Sequence, residues 1–161
     1  MTAGELATRW TIRVALSLYA IAIALRLQPG GRPGRERAAR AAWAAGLLFY
    51  LAHVACAFQF FHNWSHQAAY RETARRTGEL FGFDWGGGLY WNYAFTAAWA
   101  VDVLWPRPPG WLRAGLRGFL AFLAFQATVV FGAGWTRWAG LASTLALLLL
   151  WRRNRHDHRA R

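Results

Sequence analysis

The chain has 161 residues, enough for one domain and too few for two. It is 56% hydrophobic and 17% aromatic against 16% charged; all 19 basic residues are Arg, and seven acids leave a formal charge of +12. So much apolar side chain excludes a disordered polypeptide, and the single Cys56 excludes a disulfide scaffold and any Cys-x-x-Cys redox or metal motif.

The mean hydropathy of +0.12 hides a segregated pattern, because the Arg residues cluster between long uncharged runs. The first run, Trp10 to Leu27, is 18 residues long if Arg13 and Arg26 extend their side chains to the interfaces. The second, Ala41 to Phe61, is interrupted by one ionisable group, His53. The third covers Leu89 to Trp105 and holds Asp102 near its end, the fourth covers Gly118 to Thr136, and the last, Gly134 to Trp151, includes Arg137 in its outer turn. A bilayer core takes roughly 20 helical residues, with about 17 as the lower limit. Runs two, four and five are apolar around most of a helical circumference, which a soluble domain of this size has no room to bury. The expected fold is all-α: an integral membrane bundle of five transmembrane helices.

Five spans alternate sides, so the Arg residues divide between two faces. Thirteen (Arg26, Arg32, Arg35, Arg37, Arg40, Arg107, Arg113, Arg117 and five in the tail from Arg152) fall on one side, and six on the other. The Arg-rich side reads as cytoplasmic, giving an N-out, C-in protein of the bacterial inner membrane. Ala22-Ile23-Ala24 imitates a signal-peptide cleavage site, but the five Arg residues that follow resist export, so the first run reads as a span. The same division removes nucleic acid as a partner despite a pI near 11.6: the charge serves topology and contact with anionic lipid. Gln28 to Gly34 and Pro106 to Gly110 are turn-rich connections. Trp10, Trp43, Trp85, Trp105, Trp111, Trp135, Trp138 and Trp151 lie near span ends, where indoles favour the head-group zone.

The longest stretch outside the membrane joins spans two and three, residues 62–84. Without a breaker before Gly78, span two is expected to continue outward as one helix to about Thr77. On such a helix His62 and His66, four residues apart, project about 40° from one another, the spacing of two ligands to one metal. Glu72, Glu79, Asp84 or a second subunit would complete the set. His53 lies about 180° away and about 12 Å deeper; it is the candidate for haem ligation, proton carriage or quinone binding, with Asn92, Tyr93 or Thr96 as partner. Asp84 is expected to cap the N-terminus of span three, Asp102 to pair with Arg107 or Arg113, and Gln59 and Gln126 to bond between helices. His156-Asp157-His158 in the tail is the one cytoplasmic group able to hold a divalent cation.

The histidine count is too low for a membrane di-iron oxygenase, no Ser sits in a Gly-x-Ser-x-Gly setting, and no Gly-rich loop carries a Lys for phosphate. A transmembrane haem with ligands from two helices needs a homodimer or another chain. In length, five runs and abundant Trp, with Pro108-Pro109-Gly110-Trp111, the chain resembles the tryptophan-rich sensory/translocator family. With Phe61-His62-Asn63-Trp64-Ser65-His66, Gly87-Gly88-Leu89-Tyr90-Trp91-Asn92-Tyr93 and Phe122 to Gly132, it more closely resembles uncharacterised bacterial multi-span membrane proteins, a likeness that implies no activity. The expected function is a non-catalytic membrane subunit or scaffold, bound to lipid and to other subunits or to itself. The alternatives are a redox component holding a divalent metal or haem at a periplasmic histidine site (His62, His66, Glu72 and Asp84 for metal, His53 for a cofactor), and a small-ligand binder or transporter.

Overall fold

A computed structural model describes residues 2–29, 32–105, 107–132 and 134–159, with backbone alone for 154–159; the His156-Asp157-His158 side chains lie outside the described set. The architecture is all-helical, with no strand among the described residues: α1 (Ala3–Leu27), α2 (Pro33–Phe61), α3 (His66–Phe81), α4 (Gly88–Leu104), α5 (Gly110–Phe125) and α6 (Trp135–Arg159).

Helix α1 starts well before Trp10 because Thr2 and Glu5 form a capping box. The Thr2 hydroxyl accepts from the Glu5 N–H at 3.2 Å, and the Glu5 carboxylate accepts from the Thr2 N–H at 3.3 Å. Helix α2 opens with Pro33 in its first turn, where the missing N–H costs nothing, and so absorbs the Arg-rich segment before Ala41. The two pack as a hairpin through small residues, with Ala15, Ala22, Ala39 and Gly46 buried. By length and composition, α1 and α2 are the two described helices apolar and long enough to cross a membrane.

The continuous helix expected to reach Thr77 does not form. Helix α2 ends at Phe61, and Asn63 and Trp64 take left-handed backbone conformations (φ 46° and 58°) that reverse the chain. Asn accepts this conformation through its short polar side chain. Trp64 is held in it from both ends: its N–H donates to the Phe58 carbonyl at 3.0 Å and its indole N–H to Gln59 at 2.8 Å. Ser65 then caps a new helix, accepting from the Ala68 N–H at 3.2 Å. Helix α3 lies on α4 with Ala69 and Thr77 buried, turns Arg71, Arg75, Arg76 and Glu79 outward, and ends on Gly82 (φ 78°).

Two further expectations are corrected. Asp84 does not cap α4, whose N-cap is Gly87; its carboxylate sits against Gly78, where any Cβ would collide with it. The fourth helix is displaced from Gly118–Thr136: α5 starts at Gly110 after Pro109, takes in Arg113 and Arg117, continues as a π-helical turn over Gln126–Val130 and stops. Arg137 of α6 closes that end, donating to the Gly132 carbonyl at 3.0 Å. A bulge of this kind widens the helix, and Gly140 of α6 fits against Thr128 within it.

Helices α1, α2, α4, α5 with its π turn, and α6 each pack on the next, and α6 returns to α1, so five helices close a ring with α3 packed on α4. Its core is aromatic: Tyr19, Trp43, Tyr50, Phe95 and Trp99, with Leu47 and Leu120. Ring centroids stand 5.0 Å apart for Tyr19–Trp43, 5.2 Å for Trp43–Trp99 and 5.0 Å for Tyr50–Phe95, the spacing at which tilted and edge-to-face pairs are attractive. Gly46 lets this packing close up, since a Cβ would stand only 3.0 Å from the Trp99 indole.

Candidate functional site

The break after Phe61 decides the fate of the expected histidine pair. His62 is the C-cap of α2 and His66 the first residue of α3, so they no longer share one helical face. His62 lies edge-on to Phe58, within electrostatic reach of Glu72 and Arg76. Partial desolvation holds its imidazole below the ordinary range; Glu72 opposes that effect and Arg76 adds to it. His66 is exposed, its Nδ1 3.0 Å from the Tyr93 hydroxyl and its ring between Tyr90 and Tyr93, each at 5.8 Å.

Glu72 is occupied by two arginines, with Arg75 and Arg76 each donating to it at 2.8 Å. These hydrogen bonds hold its carboxyl down at about 2. Arg75 also pairs with Glu79. A metal would have to displace these guanidiniums. Among the described residues no group of three or more His, Cys, Asp or Glu side chains converges as a metal site would require. Of the expected metal ligands, His62 and Glu72 come near each other, His66 turns to Tyr93, and Asp84 turns to Gly78.

His53 finds a different partner from the expected Asn92, Tyr93 or Thr96. Its Nδ1 is 2.9 Å from the backbone carbonyl of Thr8 on α1. A carbonyl only accepts, so Nδ1 carries the proton and the lone pair is on Nε2. The bond ties α2 to α1 in the half of the hairpin farther from the α1–α2 turn.

Arg26, Trp43 and Asp102, placed singly by the sequence, lie together in the structure. Trp43, expected in the interfacial belt, is 3% exposed and stacks in the core, whereas Trp111, Trp135 and Trp138 are exposed. The guanidinium of Arg26 sits 4.8 Å from the Trp43 ring centroid. Beside them Asp102, its side chain 4% exposed, faces Arg117 at 3.9 Å rather than Arg107 or Arg113. Arg26 Nε, Trp43 Nε1, Trp99 Nε1 and Asp102 Oδ2 are buried with no hydrogen-bond partner among the described residues. The signal was present as helical spacing: Tyr19, Ala22 and Arg26 share a face of α1, and Phe95, Ala98, Trp99 and Asp102 share a face of α4.

The arrangement can hold charge and register helices against one another, through His53 with Thr8, Arg26 with Trp43, and Arg117 with Asp102. No protein-family model, curated protein or solved structure matches this chain.

Proposed function

We propose that this chain is a multi-pass protein of the bacterial inner membrane, with five spans, N-out and C-in, acting as a non-catalytic subunit or scaffold that packs against lipid and other membrane chains. One observation carries the reading. In the most apolar 18-residue stretches of α1 and α2, only 17% and 22% of residues are buried. A core helix of a soluble protein turns such a stretch inward; here it faces out.

Supporting it, Leu48, Leu104, Phe122, Leu145 and Leu149 are all more than half exposed. The 17 residues of α4 and the 21 of α5 with its π turn correspond to about 25 Å and about 31 Å of helix, close to the roughly 30 Å of a hydrocarbon core. Helix α3, polar outward and tied by Glu72, Arg75 and Arg76, suits an extramembrane crossbar between spans two and three. Ala15, Tyr19 and Ala22 of α1 belong to the core, which argues for a retained span rather than a removable leader. The arginine division, thirteen against six, supports the N-out, C-in orientation.

The test is purification from membranes in mild detergent, followed by native mass determination, visible spectroscopy and elemental analysis. The expected result is a colourless protein in a complex larger than one chain, unchanged in His62→Ala/His66→Ala. A Soret band or near-stoichiometric metal lost in that variant would replace this reading with the redox one.

A further inference from the structure

The two charged members among the unpartnered buried atoms are complementary: Arg26 Nε is a donor without an acceptor, and Asp102 Oδ2 an acceptor without a donor. They belong to α1 and α4, and Arg26 lies within electrostatic reach of Asp102, Arg117 and Glu36. Neither holds a strong partner. Arg26 rests on the Trp43 ring, and Asp102 faces Arg117 at 3.9 Å, beyond hydrogen-bond range.

A buried carboxylate with an unbonded oxygen is costly. The competing arrangement, in which Arg26 Nε donates to Asp102 Oδ2, satisfies both atoms at once. It gives up the Trp43 contact and leaves Arg117 without its counter-ion. Arg117 is the member able to find another: its side chain is 46% exposed, one turn beyond Arg113 on α5. At that rim Arg26, Arg107, Arg113 and Arg117 outnumber the two carboxylates of Asp102 and Glu36. Such an excess matches the phosphates of anionic head groups, and an exposed guanidinium binds a phosphate through paired hydrogen bonds.

The geometry points to Asp102 as a counter-ion shared between Arg117 and Arg26, passed to Arg26 when a net-anionic phospholipid head group, its phosphate not neutralised by a choline, engages Arg117. The lipid shifts the equilibrium because it binds only the state in which Arg117 is released. The inference rests on the membrane reading but not on its orientation, since both leaflets of a reconstituted bilayer carry the same lipid.

The experiment compares Arg26→Gln and Arg117→Gln with wild type by thermal unfolding in three settings. These are phosphatidylcholine nanodiscs, nanodiscs with half phosphatidylglycerol, and phosphatidylcholine nanodiscs with inorganic phosphate. In phosphatidylcholine Arg117→Gln lowers the Tm more than Arg26→Gln, by about 2 °C or more. With phosphatidylglycerol the order reverses, and in an Asp102→Asn background the reversal disappears. The same ranking in both lipids, or a reversal that survives Asp102→Asn, would overturn the switch. A reversal by inorganic phosphate alone would overturn the lipid as its ligand. Protein that does not enter nanodiscs would instead sink the membrane reading itself.

Discussion

The His53 side chain is fixed by a backbone atom of another helix, the Thr8 carbonyl of α1. An imidazole about 12 Å from the end of an apolar helix needs a hydrogen bond, and its Nδ1–H donates one to the Thr8 carbonyl 45 positions earlier in the chain. Nothing in the spacing of α2 marks a backbone oxygen on another helix. His53→Phe removes the donor and is expected to lower unfolding stability by about 1 kcal/mol, measured by denaturant titration in micelles; an unchanged midpoint would mean the bond contributes nothing. Gly46 is the tighter constraint. The Trp99 ring fills the space a side chain would need, so Gly46→Val is expected to cost about 1–3 kcal/mol by overpacking. The equivalent change at Gly115, where a Cβ meets nothing within 4 Å, is the control. Trp43 was misassigned because an indole near a span end favours the interface; the nearby Tyr19, Trp99 and Arg26 give it a better place inside.

At the scale of elements, the all-helical fold and the two long apolar helices α1 and α2 were legible because hydrophobic length is a strong signal; the helix ends were not. The α2–α3 break depends on two left-handed residues, Asn63 and Trp64, neither of them the Gly or Pro that marks a turn in a sequence. The start of α5 at Gly110 was hidden by counting Arg113 and Arg117 as loop, although long basic side chains tolerate a helix near a membrane surface. Ser65→Ala tests the break. If Ser65 caps α3, the change costs about 1 kcal/mol and speeds amide exchange in residues 66–70 while α2 keeps its protection. Slower exchange there would favour an unbroken helix. Acid gives a second handle on α3. The Glu72 carboxyl is lowered from 4.5 to about 2 by Arg75 and Arg76, so its contribution is complete above pH 4.5 and is lost as pH falls through about 2. Exchange protection of α3 should fall over that interval in wild type and show no such fall in Glu72→Gln.

For the whole molecule, the ring of five helices gives the arginine asymmetry a structural setting, because Arg26 of α1 and Arg117 of α5 meet around Asp102 of α4 at one rim. The expected site was legible only as a concentration of histidines and acids. Its members do not converge: Glu72 is held by Arg75 and Arg76, and the Asp84 carboxylate lies against Gly78. The central claim, five spans with N-out and C-in, is tested most directly by single cysteines placed in a Cys56→Ser background. Gly34→Cys and Gly110→Cys report the Arg-rich rim, while Gln67→Cys and Thr136→Cys report the opposite one. In whole cells, a maleimide that crosses the outer but not the inner membrane should label positions 67 and 136 and leave 34 and 110 untouched until the inner membrane is permeabilised. Labelling of 110 together with 67 and 136 would mean that only α1 and α2 cross, and labelling of 34 would invert the orientation; either result contradicts the account.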